Sequence, residues 1–196
     1  MFVTFEGLDG SGKTTQARLL AEYLDGEGRQ VVLTREPGGT PLGERIRDVL
    51  LHGEDVSPWA EAALFAAARA ELVTEVIRPA LDRGADVVCD RYLDSSLAYQ
   101  GIARGLGVER VLELNLAVVD GLLPDRTFVL LVDPDAAAAR SSRAKDRIER
   151  EGDDFHTALD RAYRELAERF PDRIVALDGS GPPQEIHACV REKLTE

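Results

Sequence analysis

The sequence predicts an α/β fold, a five-stranded parallel sheet flanked by helices. Three observations predict it. Short, near-continuously apolar runs alternate with longer stretches whose apolar residues recur at helical spacing, the pattern of strands covered on both faces by the helices that join them. The first of these runs passes through a glycine-rich turn straight into a helix. The 196 residues contain no internal repeat, low-complexity tract or linker, so residues 1–196 read as one domain.

Taken in order, Phe2-Val3-Thr4-Phe5 is the first strand. Thr15 to Leu24 is the first helix, with Ala17, Leu20, Ala21 and Leu24 on one face. Gly26 and Gly28 end it, and Val31-Val32-Leu33 is the second strand. Pro41 to Leu51 is a helix whose apolar face is Leu42, Ile46, Val49 and Leu50; the polar stretch from His52 to Asp55 breaks it. Ser57 caps the next helix, with Pro58 at its first position, and that helix runs to about Ala80. Asp86 to Cys89 is the third strand and Leu93 to Ile102 a helix. Val108 to Val119 is a helix with broad apolar surface, which fits a homodimer interface or a buried core helix equally well. Thr127 to Val132 is the fourth strand, followed by a helix from Asp135. Phe155 to Phe170 is helical with Leu159, Ala162, Tyr163, Leu166 and Phe170 inward; Ile174 to Leu177 is the fifth strand, and the last helix runs from about Pro183 to Leu194.

The turn after the first strand, Gly7-Leu8-Asp9-Gly10-Ser11-Gly12-Lys13-Thr14, fits G-x-x-x-x-G-K-S/T and makes this a P-loop NTPase fold. Glycines let the backbone wrap an anion closely, and the following helix N-terminus aims free N–H groups at phosphate oxygens. Lys13 reaches the terminal phosphates and Thr14 ligates Mg²⁺. Only three lysines exist, so one falling on that slot adds weight. Asp90, a carboxylate at the end of the third strand, is the second element such a metal site needs, or with Arg91 forms a strand-end turn with an ion pair.

The remaining candidates also sit where strands end or helices present one face. Arg35 follows the second strand in Arg35-Glu36-Pro37-Gly38-Gly39-Thr40 and could hold an anionic substrate group or form a tight turn. Phe65 and Arg69, four apart, could sandwich and hydrogen-bond a planar base, or be a core Phe beside a surface Arg. Arg91 can bind phosphate, and Ser96 and Tyr99 share a helix face near Gln100. Arg140, Arg143, Arg147 and Arg150 fall along one helical face and could close over a polyphosphate, or belong to an exposed helix laced with i,i+4 ion pairs.

Composition bounds the partners. A formal net charge of −12 argues against broad nucleic-acid or anionic-membrane binding and makes any phosphate site a local basic pocket. Two isolated cysteines give neither a disulfide framework nor a metal spacing. No apolar run is long enough to span a bilayer, and the N-terminus reads as a strand, so a cytoplasmic protein is expected.

Together these motifs resemble the thymidylate kinase family, which moves the γ-phosphoryl group of ATP onto dTMP. The resemblance rests on Phe5 through Thr15, Arg35 through Thr40, Leu64-Phe65-Ala66-Ala67-Ala68-Arg69, Asp90-Arg91-Tyr92, Ser96 through Gly101 and Asp146-Arg147-Ile148-Glu149, in family order. It implies that Gly7, Gly10, Ser11, Gly12, Lys13, Thr14 and Thr15 bind ATP phosphates and Mg²⁺. Asp9 orients the acceptor or its metal, and Arg35 and Arg91 clamp the dTMP phosphate. Phe65 stacks on thymine, Arg69 donates to its O4, Ser96 and Gln100 read other polar edges, and Tyr99 packs under the sugar. Gly10 stands where one branch of the family has a catalytic arginine. This chain resembles the branch that supplies the cation from a short helical lid, here about residues 140–152, which implies Arg143 and Arg147 as charge-neutralising groups and Arg140 near the adenine. Ala68 and Leu131 depart from acidic residues common in relatives. The family also implies a homodimer.

Other readings stay distinguishable. A kinase for another nucleoside monophosphate would prefer a different acceptor. A GTPase-like switch would want Asn-Lys-x-Asp, but the one asparagine, Asn115, precedes Leu116. A non-catalytic ATP-binding module would have little use for Lys13, Asp9, Asp90 and the lid arginines together.

Overall fold

The computed structural model describes residues 1–140, 146–148 and 150–194. Its sheet has β1 (Phe2–Gly7), β2 (Val31–Arg35), β3 (Asp86–Asp90), β4 (Arg126–Leu131) and β5 (Ile174–Asp178) in the order β2-β3-β1-β4-β5, all pairs parallel. Every residue of β1 is buried, whereas the edge strands β2 and β5 are half-buried. The central strand has a neighbour on each side and helices on both faces, so it reads as a continuous apolar run.

Helix α1 (Lys13–Gly26) packs Ala17, Leu20 and Leu24 with Val3, Phe5, Val88 and Phe128 on one face of the sheet. The larger core lies on the other face, among Leu72, Ile77, Val87, Leu97, Val129 and Leu166. Helices α2 (Pro41–His52) and α3 (Pro58–Leu72) both carry proline at the first turn. Their caps are Thr40, which accepts from Gly43 N at 2.9 Å, and Ser57, which accepts from Ala60 N at 3.4 Å. Helix α3 continues through a π-helical stretch, Val73–Ile77, into α4 (Arg78–Asp82). Helix α5 (Leu93–Ser96) likewise runs into a π-helical stretch, Leu97–Ala103. Helices α6 (Val108–Val118), α7 (Pro134–Arg140), α8 (Asp153–Arg169) and α9 (Pro183–Leu194) complete the chain.

Three expectations need correction. The apolar face expected on α2 is not buried as a unit: Leu50 and the neighbouring Leu51 are buried, but Leu42 and Val49 are exposed. Helix α6 is buried through Val108, Val111 and Asn115, while Leu112, Leu114 and Leu116 stay half-exposed. Arg147 and Arg150 lie in turns rather than on a helix shared with Arg140, so the stripe read from helical spacing does not extend to them.

Candidate active site

Parallel strands aim their carboxyl ends at one edge of the sheet, and that edge carries the site. Two cavities meet there. A groove of about 850 Å³ runs along Gly10, Ser11, Gly12, Lys13, Thr14 and Thr15 to Arg140, Gly179, Gly181, Pro183 and Ile186. A narrow slot of about 70 Å³ lies beside it, lined by Leu51, Phe65, Ser95, Ser96, Tyr99, Gln100, Asp146 and Ile148 among others. Asp9, Glu36, Arg47 and Arg91 bound both.

The groove is built by the turn between β1 and α1. Gly10 and Gly12 adopt φ of +83° and +98°, with Gly12 at the N-cap of α1, a conformation glycine takes without a Cβ penalty. A Cβ at Gly10 would collide with the Ala137 carbonyl of α7. No side chain fits there, so a cation supplied from that position of the loop is excluded sterically. Lys13 is buried and donates to Leu8 O at 2.6 Å, with Asp9 Oδ1 at 3.7 Å. Burial and then Arg91 pull its pKa down, against Asp9 and Asp90. The Ser11 hydroxyl is buried without a hydrogen-bond partner among the described residues. The Thr14 hydroxyl donates to Asp90 Oδ2. Adjacent hard oxygens of this kind fit Mg²⁺, which keeps waters and substrate phosphates as its other ligands. Among the described residues no group of three His, Cys, Asp or Glu could form an all-protein metal cage.

Where groove and slot meet, Arg91 has a positive φ of 70°, uncommon for a residue with a side chain and tolerated where function demands it. This conformation folds its guanidinium back over the strand ends. It donates to Asp9 Oδ1 at 2.8 Å, Gly7 O at 3.1 Å, Ser95 Oγ at 3.1 Å and Tyr163 OH at 3.2 Å, and lies 5.5 Å from the Tyr99 ring centroid. Burial works against its charge, but Asp9 and the surrounding oxygens hold its pKa well above the usual arginine range.

Three buried glutamates to which the sequence assigns no role hold this architecture. Glu6 accepts from Tyr92 N at 2.8 Å, Ser95 N at 3.1 Å, Ser95 Oγ at 2.6 Å and Tyr163 OH at 3.1 Å, and burial raises its pKa. Glu36 pairs with Arg69 at 2.6 Å through Oε2, while its buried Oε1 has no partner among the described residues. Burial pushes its pKa up to about 7 against the pull of Arg69. Glu61 accepts from Arg147 Nη2 at 2.7 Å and Gln100 Nε2 at 2.9 Å, with Arg104 at 3.4 Å. Glu6 and Glu36 lie inside the Phe5–Thr15 and Arg35–Thr40 motifs, the one signal for them, whereas Glu61 lies in none; that all three are buried is decided by what packs over them.

The structure brings most of the expected residues together: the P-loop, Thr14 with Asp90, Asp9 with Arg91, and Phe65, Ser96, Tyr99 and Gln100 around one slot. Others stand elsewhere. Arg35 borders the groove rather than the slot and pairs with Glu44 at 2.9 Å. Arg69 is the buried member of its pair, 1% exposed, beneath the slot rather than lining it; Phe65 is the one that faces the cavity. Its Nε and Nη2 hold Glu36, Nη1 reaches Ser96 Oγ at 3.1 Å and Asn115 Oδ1, and Nη2 also reaches Tyr92 O at 3.1 Å. Arg147 does not border the phosphate groove: its Nε donates to Leu50 O at 2.8 Å and its Nη2 to Glu61, so it ties the Asp146–Ile148 wall of the slot to α2 and α3. Arg140 lines the far end of the groove and donates to Gly179 O at 3.0 Å. Arg143 lies outside the described residues.

A P-loop groove that shares its wall with a second, narrow slot defines a phosphotransferase that moves phosphate from a nucleoside triphosphate to a small acceptor. Comparison with known proteins narrows this. Residues 5–190 match the family model described as thymidylate kinase. The chain is 48% identical over 201 residues to a thymidylate kinase of Bifidobacterium longum (strain NCC 2705), covering 100% of this chain and 98% of that one. It is 50% identical over 190 residues to one of Synechococcus sp. (strain JA-3-3Ab), covering 97% and 93%. The crystal structure of thymidylate kinase from Ehrlichia chaffeensis superimposes with a TM-score of 0.82 at 36% identity, over 99% of this chain and 98% of that one. The chain belongs to the thymidylate kinase family, and its activity is phosphorylation of dTMP to dTDP with ATP as donor, a step of dTTP synthesis.

Proposed function

We propose that the two cavities divide the reaction ATP + dTMP → ADP + dTDP, with ATP along the groove and dTMP in the slot. The observation that carries this reading is the shared boundary: Asp9, Glu36, Arg47 and Arg91 line both cavities, so the acceptor phosphate and the γ-phosphate meet there. Gly7, Gly10, Ser11, Gly12, Lys13, Thr14 and Thr15 cradle the triphosphate, Thr14 and Asp90 hold Mg²⁺ beside it, and Arg140 flanks the adenine. Mg²⁺ supplies charge neutralisation of the β- and γ-phosphates. Arg91 grips the acceptor phosphate, and Asp9 holds Arg91 in place. Phe65 stacks on the base, Ser96 and Gln100 read its edge, and Tyr99 underlies the sugar. Arg69 acts from below, fixing Glu36 and Ser96. Arg35 sits on the groove side of the boundary, and Arg143 supplies lid charge.

The acceptor oxygen is already ionised near pH 7, so no strong base is needed; catalysis consists of in-line positioning and charge compensation. Lid closure over the groove suppresses hydrolysis of ATP. The whole chain serves as one cytoplasmic kinase domain, and the half-exposed Leu112, Leu114 and Leu116 on α6 favour a homodimer through that helix. A coupled ADP-release assay with ATP and Mg²⁺, offering dTMP, dUMP, dCMP, dAMP and dGMP in parallel, tests the reading. Strong preference for dTMP is expected. Preference for another monophosphate would overturn the slot assignment, and ADP release without acceptor would overturn the transfer reading itself.

A further inference from the structure

Gln100 lies in the π-helical stretch Leu97–Ala103 and lines the slot from a buried position. Behind it, out of the slot, stands Glu61, 1% exposed in the first turn of α3. An amide side chain can be turned either way, and the group it faces decides which end goes where. Glu61 faces two arginines, Arg147 at 2.7 Å and Arg104 at 3.4 Å. Burial alone would favour the neutral acid, but hydrogen bonds from Gln100 and Arg147, with Arg104, outweigh it and keep the carboxyl below its usual range. An ionised carboxylate only accepts. Gln100 must therefore present Nε2 to it, which it does at 2.9 Å, leaving Oε1 as the polar end available to the slot.

The same logic applies one helical turn away. Arg69 only donates, so Ser96 Oγ accepts from it at 3.1 Å and its proton is free to be offered to the slot. The cavity wall thus carries a donor at Ser96 beside an acceptor at Gln100, each polarity imposed by a buried ion of opposite sign. Thymine and uracil present a carbonyl acceptor beside the N3–H donor. Cytosine presents a lone pair at N3 and an amino group at C4.

We infer that Glu61 is a positioning residue that sets base specificity, by locking the Gln100 amide so that the slot accepts a pyrimidine carrying N3–H and rejects cytosine. This rests on the assignment of the base to the slot. A site built to hydrogen-bond one pattern rejects the reversed pattern strongly, since its buried polar groups are otherwise left unpaired.

The test compares dTMP with 5-methyl-dCMP, which keeps the methyl group and reverses the polar edge. The wild-type enzyme should show a large kcat/KM preference for dTMP. In Glu61→Gln the new amide can donate to Gln100 Oε1, so Gln100 is free to turn. The preference should fall at least tenfold, with the KM for ATP unchanged. A variant in which both acceptors lose efficiency equally, so that the preference survives, would show Glu61 to be merely structural and overturn the inference while leaving the slot assignment standing. Absence of preference in the wild type would overturn the assignment together with the inference. If Glu61→Gln gives no cooperative melting transition, Glu61→Asp takes its place, since it keeps the charge but withdraws the carboxylate from Gln100 Nε2: a fall in the preference supports the inference, and full retention overturns it.

Discussion

Replacing Arg69 by methionine tests the pair that underlies the slot. The side chain is 1% exposed, and Nε and Nη2 lie 2.8 and 2.6 Å from Glu36 Oε2. Methionine fills similar volume but donates nothing, so Glu36 is left as a buried carboxylate without its counter-charge. Breaking such a pair from one side costs about 3–5 kcal/mol. For a chain of this size each kcal/mol moves the melting temperature by roughly 2–4 °C, giving a fall of roughly 6–20 °C. The cost depends on pH. The pKa of Glu36 is raised to about 7 in the folded protein from its ordinary 4.5, so its contribution to stability is full below 4.5 and lost as pH rises through 7. Without Arg69 its pKa rises further, and the variant's deficit grows between pH 5 and pH 8. Adding Glu36→Gln removes the stranded charge and should recover about 1–3 kcal/mol relative to additivity. Urea titrations at the two pH values measure all three effects. A loss under about 1 kcal/mol, or strict additivity of the two substitutions, would refute the burial argument. The KM for dTMP should rise in the single variant, because Glu36 and Ser96 line the slot.

Three further outcomes follow from the site. Asp90→Asn should raise the Mg²⁺ concentration for half-maximal activity by roughly 10-fold or more, since it removes the charge beside Thr14; an unchanged Mg²⁺ titration would place the metal elsewhere. Gly10→Ala should cost about 1 kcal/mol for the positive φ alone and force α7 off the loop, raising the KM for ATP but not for dTMP. Arg147→Ala should lower stability by about 3 kcal/mol and raise the KM for dTMP, because it loosens the Asp146–Ile148 wall and strands Glu61. Collapse of kcat with an unchanged KM for dTMP would instead show that Arg147 reaches the transferring phosphoryl group.

The sequence by itself determined the sheet, the helix order, the cap at Ser57 and the P-loop. Each is written in neighbouring residues: apolar runs mark strands buried on both sides, and glycines at fixed offsets permit the turn that approaches phosphate. Family motifs added the residues around the slot. What only the tertiary structure decided is which charges are buried and against whom. Arg69 and Glu36 are 33 residues apart, and Arg147 and Glu61 are 86 apart. Asn115, useless to a guanine-reading motif, is buried and accepts from Arg69. A charged residue reads the same in sequence whether it faces solvent or lies under a cavity floor. Arg69 and Arg147 therefore read as substrate ligands, yet the fold places them beneath and beside the slot. Burial depends on packing between distant elements, and no local spacing encodes it.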